Sequence, residues 1–153
     1  MIKIRKILTP TDFSQHSKEA LRYAAELAKV HDAEIILVHV MEPPIYPTMF
    51  EGAAVAVPPL DESFRKQLQE HLETMRREEI GDLRSKVVVR EGSPTNELVE
   101  LAHEEDVDLI VIATHGYTGL KHMLLGSTAE KIVRNAPCPV LTVREKAKNL
   151  CRQ

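Results

Sequence analysis

The chain has 153 residues, 43% hydrophobic and 28% charged, with 20 Lys and Arg against 23 Asp and Glu for a formal charge of -3. That balance excludes a nucleic-acid backbone as the main partner, because such binding is driven by clustered basic side chains, and the apolar content excludes a disordered chain. No apolar run approaches the ~20 residues of a membrane span, and three Tyr, three Phe and no Trp offer no base-stacking surface.

A chain of this length is one domain and buries roughly 70% of its unfolded surface, enough for a core without staples. Cys138 and Cys151 form no C-x-x-C pair and are expected to be a buried thiol and a free thiol in a reducing compartment. Met1 to Lys6 runs into a strand-like segment with no apolar leader, so a cytoplasmic protein is expected.

In chain order, Lys6 to Thr9 reads as a first strand, ended by Pro10-Thr11-Asp12. Ser14 can cap the helix that follows, where Ala20, Leu21, Ala24, Ala25, Leu27 and Ala28 form an apolar face as far as about His31. Glu34 to Met41 is a second, buried strand. From 42 to 59 the pattern fails, because Pro43, Pro44, Pro47, Pro58 and Pro59 remove backbone donors, and a long connection is expected there. Phe64, Leu68, Leu72 and Met75 then line one face of a helix from about Leu60 to Glu79, its other face solvated.

Ser85 to Arg90 is a third strand, ended by Glu91-Gly92. Ser93 is placed to cap the next helix, with Pro94 at its first position and Leu98, Val99, Leu101 and Ala102 facing the core. Leu109 to Ala113 is an uninterrupted apolar strand, stopped by Thr114-His115-Gly116. A nine-residue loop, Tyr117 to Leu125, leads to Gly126 and a helix from Ser127 to Asn135, and Val140 to Val143 is a last strand. Residues 1–145 are thus one domain and 146–153 a frayed polar tail. The alternation of strands and helices predicts an α/β fold, a single-domain, doubly wound, open parallel sheet of five strands.

In such sheets ligands bind beyond the carboxyl ends of the strands, where the strand order reverses, so the turns at Pro10-Thr11-Asp12 and Thr114-His115-Gly116 are both placed to flank a crevice. Ser127 and Glu130 have the spacing of a capping box, and glycine beside a helix start lets an anion reach unpaired amides without meeting a Cβ. A phosphorylated ligand is the candidate from that pattern; the alternative is that Gly126 only turns the chain and Ser127 only caps its own helix. Neither G-x-x-x-x-G-K-[ST] nor G-x-G-x-x-G is present, and Gly116-Tyr117-Thr118-Gly119 follows a strand, unlike the helix-joining G-x-x-G of an RNA-binding loop.

Asp12 either orders its own turn or lies beside a cation. His115 touches a phosphate or bonds locally, Lys121 and His122 are read as a solvated loop tip, and His39 as a satisfied core group. The seven histidines have no H-x-x-x-H or H-E-x-x-H spacing for a metal site.

Pro10-Thr11-Asp12, Val38-His39-Val40, Glu91-Gly92, Ala113-Thr114-His115-Gly116 nine residues before Gly126-Ser127, and Ala136-Pro137-Cys138-Pro139-Val140-Leu141 together resemble the universal stress protein family along essentially the whole chain. The ATP-binding branch of that family carries G-x-x-G-x9-G-[ST]. The sequence matches at Gly116, Gly126 and Ser127 and departs at the first glycine, where Ala113 stands. If that position needs φ > 0, the methyl costs on the order of 1 kcal/mol; if it continues the strand, the methyl is tolerable.

The resemblance implies a Rossmann-like fold of the adenine-nucleotide α-hydrolase type and a nucleotide-dependent regulatory protein of the stress response, not an enzyme, homodimeric through Val140 to Val143. It implies ATP in a crevice lined by Pro10, Thr11 and Asp12, with Asp12 near the ribose and metal. Val40 would meet adenine with its backbone. Ile112, Ala113, Thr114, His115 and Gly116 would line ribose and phosphates, while Gly126, Ser127 and Thr128 would hold the phosphates. A carboxylate beside a triphosphate is repulsive by very roughly 4 kcal/mol per close pair, so Mg or Mn is expected between them, bound by Asp12 directly or through water. A nucleotide-free interaction module and a slow ATPase using Asp12 and Lys121 are the alternative readings.

Overall fold

The computed structural model describes residues 1–43, 61–115 and 125–144 of the chain. Within them run β1 (Lys6–Pro10), α1 (Gln15–His31), β2 (Glu34–Met41), α2 (Glu62–Glu79), β3 (Ser85–Glu91), α3 (Pro94–Glu104), β4 (Leu109–Ala113), α4 (Ser127–Asn135) and β5 (Val140–Val143). All strand pairs are parallel and the order across the sheet is β3-β2-β1-β4-β5. The expected α/β class, strand number and double winding are therefore those of the structure. The connection expected at 42–59 (from residue 44 on), the loop from Tyr117 to Met123-Leu124, Lys121, His122, Cys151 and the tail lie outside the described residues.

The strand runs lack polar interruptions because both faces of the sheet are covered. Along β2, Ile35 and Leu37 face α1 and α2 among Ala20, Leu21, Ala24 and Leu72, while Ile36 and Val38 face α3 and α4 among Leu98, Leu101 and Ile132. Alanine dominates the buried stripe of α1, which lets that helix lie close on the sheet. Each fully buried Leu or Ile here contributes roughly 1.5–3 kcal/mol.

Ser14 caps α1 as its position predicts, its side chain accepting from the Ser17 amide at 3.2 Å. Three local expectations are corrected. Phe64 is 46% exposed, whereas Leu72 and Met75 are buried, because burial deepens toward the half of α2 that packs on the core. Ser93 holds the N-cap position of α3 but makes no capping hydrogen bond with its side chain. Ser127 is the first residue of α4 and Gly126 its N-cap, with no side-chain cap hydrogen bond, so Ser127 and Glu130 sit one residue too late for a capping box.

The reversal of strand order lies between β1 and β4. Their ladder covers only two residue pairs, Ile7 with Leu109 and Leu8 with Ile110. Beyond it the Thr9 hydroxyl, fully buried, donates to the Val111 carbonyl at 2.8 Å. The next amides turn outward: Thr11 donates to Val38 of β2 at 2.8 Å and Thr114 to Val143 of β5 at 2.9 Å. Each central strand follows its outer neighbour, and a gap opens between them.

The opposite sheet edge is held by charge. Asp108 Oδ2 accepts from the amides of Arg5 at 2.7 Å and Lys6 at 3.0 Å, fastening the start of β4 to the start of β1. Burial pushes the Asp108 carboxyl up, but those two amides and the charges of Arg5 and Lys6 reverse this and hold it below the usual carboxylate range. Glu105 is lowered too, first by its hydrogen bond to Lys86, with burial opposing and Lys6 assisting.

Candidate functional site

The gap between β1 and β4 is a cleft of about 330 Å³ at the carboxyl ends of the strands, within the range of small-molecule sites. It is lined by every residue of the expected site except Gly116, which lies outside the described residues. Pro10, Thr11 and Asp12 come from the turn after β1, Val40 from β2, and Ile112 to His115 from β4 and its exit. Gly126, Ser127 and Thr128 form the start of α4.

Ala113 belongs to β4, pairs with Val143 and does not have positive φ, so its methyl strains nothing. Gly126 is extended, at φ -67° and ψ 154°, a conformation open to any residue. Its importance is space. Its amide donates to the Thr114 carbonyl at 2.6 Å, and a Cβ built on it would lie 2.9 Å from that oxygen. Glycine thus lets the start of α4 seat directly on the end of β4, and as Gly126 has no side chain to cap the first turn, that helix start can present amides to an anion.

The turn after β1 is held from several sides. Asp12 Oδ1 accepts from the Ser14 amide at 3.0 Å, the local ordering considered from the sequence. Ser17 donates to the Ser14 carbonyl at 2.9 Å, its hydroxyl also lies 2.9 Å from that of Thr11, and Thr11 accepts from the Phe13 amide at 3.0 Å. Phe13 has φ 64°, a left-handed conformation that costs a bulky residue about 1–2 kcal/mol. His39 is half-buried and hydrogen-bonded, as expected, through Nδ1 to the Thr11 carbonyl at 2.8 Å, and it also lines the cleft. Across the cleft, His115 Nδ1 lies 3.0 Å from the Thr114 hydroxyl and its ring 6.4 Å from that of His16.

Sequence reasoning missed Ser17, His39, Glu42, Pro94, Leu98 and Ala129 as lining residues. A parallel sheet places every strand-to-helix turn at one edge, so the turn carrying Pro94 was findable from topology alone. Val40, Pro94, Leu98 and Ile112 give the cleft apolar walls, and among its described lining residues there is no Lys or Arg, only the carboxylates of Asp12 and Glu42. No group of three His, Cys, Asp or Glu among the described residues is placed to hold a metal. Cys138 is a half-buried thiol that burial pushes up, hence not a ready nucleophile.

The family model of the universal stress proteins matches residues 3–144. The chain belongs to the universal stress protein family. The universal stress protein MJ0531 of Methanocaldococcus jannaschii is 38% identical over 146 residues, covering 94% of this chain and 84% of that one. The solved structure of MJ0577, a universal stress protein of the same organism, superposes with a TM-score of 0.75 at 31% identity, covering 95% and 99% of the two chains. A universal stress protein solved in complex with cAMP has a TM-score of 0.67 at 22% identity, with 94% and 98% covered, and shares the fold. Among the described residues of this universal stress protein no helix is long and apolar enough to cross a membrane.

Proposed function

We propose that this universal stress protein binds ATP with a divalent cation in the cleft between β1 and β4 and acts as a nucleotide-dependent regulatory protein of the stress response. One observation carries the reading: a helix start whose N-cap is a glycine, seated so close on β4 that a Cβ there would lie 2.9 Å from the Thr114 carbonyl oxygen, faces a cleft with apolar walls. The amides of Gly126, Ser127 and Thr128 would hold phosphate, the backbone of Val40 the adenine, and Pro10, Thr11 and Ile112 to Gly116 the ribose and remaining phosphate. The fold of a universal stress protein solved with cAMP is compatible with that ligand class.

The residues present fit a cation that arrives with its nucleotide. Asp12 and Glu42 are the charged groups among the described lining residues, so a bare triphosphate would meet repulsion, and a Mg or Mn ion neutralises it. With no cluster of three protein ligands, phosphate oxygens and water would complete the shell, Asp12 contributing directly or through water. Titration calorimetry of ligand-stripped protein is expected to show heat with Mg-ATP below millimolar nucleotide, and much weaker binding in EDTA. Absence of heat at millimolar Mg-ATP rejects the reading.

The same proposal includes a cytoplasmic homodimer paired through β5. That strand ends the sheet and carries Leu141, 37% exposed, near the chain region where α4 exposes Val133 at 48%. At the other edge Arg65 of α2 donates to the Val89 carbonyl at 3.3 Å and blunts β3, which leaves β5 as the edge suited to a partner. Light scattering is expected to give twice the chain mass, and Leu141→Lys to give the mass of one chain.

A further inference from the structure

Phe13 is the bulkiest of the three non-glycine residues with positive φ among the described residues, and it follows Asp12 directly. What holds it is aromatic. Its ring stacks on His71 of α2 with centroids 4.3 Å apart and planes 13° from parallel, and lies 4.8 Å from the ring of His39 on β2. His39 shares the strand face of Leu37 and Met41, away from Val40, so it reaches beneath the turn instead of toward the base-sized apolar wall.

The partner of His39 Nδ1 is a carbonyl, which only accepts, so the proton resides on Nδ1 and the tautomer is set. The same peptide segment is anchored by the Thr11 amide on Val38. Asp12 is thereby gripped on both flanks, through the backbone of Thr11 before it and the ring of Phe13 after it.

We infer that His39 is a positioning residue for the nucleotide site: through the Thr11 carbonyl and the Phe13 ring it fixes the turn that presents Asp12 to the cleft. This rests on the ATP reading above and adds to it a residue that acts without touching the phosphates. A misplaced Asp12 weakens the cation-dependent part of binding and does not weaken the rest, because in the absence of a cation that carboxylate only repels phosphate.

The test measures affinity for ATP by calorimetry, with Mg and in EDTA, for wild type, His39→Leu, His39→Asn and Phe13→Gly, each also combined with Asp12→Asn. His39→Leu is expected to weaken Mg-ATP binding about tenfold, the lower end of the loss when a residue orienting a metal-binding group is removed, and to leave binding in EDTA unchanged or slightly tighter. His39→Asn, whose amide also donates to a carbonyl, should recover part of the loss. Phe13→Gly removes the backbone strain together with the ring, and should weaken Mg-ATP binding as His39→Leu does. In the Asp12→Asn background all three effects should shrink below twofold. Equal losses with Mg and in EDTA, or the same loss in the Asp12→Asn background, overturn the inference, as does a His39→Leu protein that binds like wild type. A wild type that gives no heat with Mg-ATP overturns the ATP reading and this one together.

Discussion

Gly126→Val is expected to lower affinity for Mg-ATP at least about 100-fold, or roughly 2.7 kcal/mol. The effect does not come from backbone strain, since valine adopts φ -67° and ψ 154° readily. It comes from the Thr114 carbonyl, 2.9 Å from any Cβ at this position, an oxygen that belongs to backbone and cannot rotate aside. The clash must be relieved by moving the start of α4 off β4, which breaks the 2.6 Å bond from the Gly126 amide and displaces Ser127 and Thr128 together. Gly126→Ala carries the same first contact without the branch and should lose about tenfold, with overpacking costing stability on the order of 1–3 kcal/mol in either variant. Calorimetric titration with Mg-ATP, beside a thermal melt to show that the variants fold, reads both quantities. A valine variant that binds as wild type would mean that the helix start does not hold the phosphates.

Asp108→Ala should destabilise the fold by about 2 kcal/mol at neutral pH, since it removes two amide hydrogen bonds to a charged acceptor. Its site is at the far edge of the sheet from the cleft, so nucleotide affinity should stay within twofold. The pH dependence identifies the cause. The folded carboxyl is held below its unfolded value, so its contribution is complete above the unfolded value of about 3.9 and is lost as pH falls through the lower, folded one. Urea denaturation from neutral pH down to about pH 3 should therefore show the gap between wild type and variant closing only at the acidic end. Glu105 is depressed as well and its loss acts in the same direction, but it is present in both proteins and cancels in the difference. A gap independent of pH would assign the loss to packing.

Much of the fold was written in contrast. Ile35 to Val38 and Leu109 to Ile112 are unbroken because a parallel sheet covered on both faces needs apolar residues at successive positions, and few other elements do. The alanine stripe of α1 and the Ser14 cap were legible for the same reason, that local preference and tertiary role agree there. Boundaries were harder. Whether Ser127 or Gly126 caps α4 is decided by the seat of Gly126 on Thr114, a contact between segments twelve residues apart that capping statistics do not contain.

At the site, the turn after β1 and the start of α4 could be named from their residue types, and strand alternation placed them at one end of the sheet. Phe13 could not be read at all. A phenylalanine at φ 64° contradicts its own local preference and exists because His71 and His39, from two other elements, receive its ring. The contributions of Pro94 and Leu98 were hidden for a different reason, since an apolar residue on α3 reads as core until the strand order shows that it borders an opening.

The parting of β1 and β4 has a consequence for whatever enters between them. The amides at that fork are already engaged with the outer strands, at Val38 and Val143, so no row of bonds spans the mouth and none has to be broken. Below the fork the two strands stay joined by the pairs Ile7 with Leu109 and Leu8 with Ile110 and by the Thr9 bond to Val111, so a guest enters above an intact ladder. A nucleotide lodged there would rivet the two halves of the sheet to each other, and its grip would double as a strut for the fold.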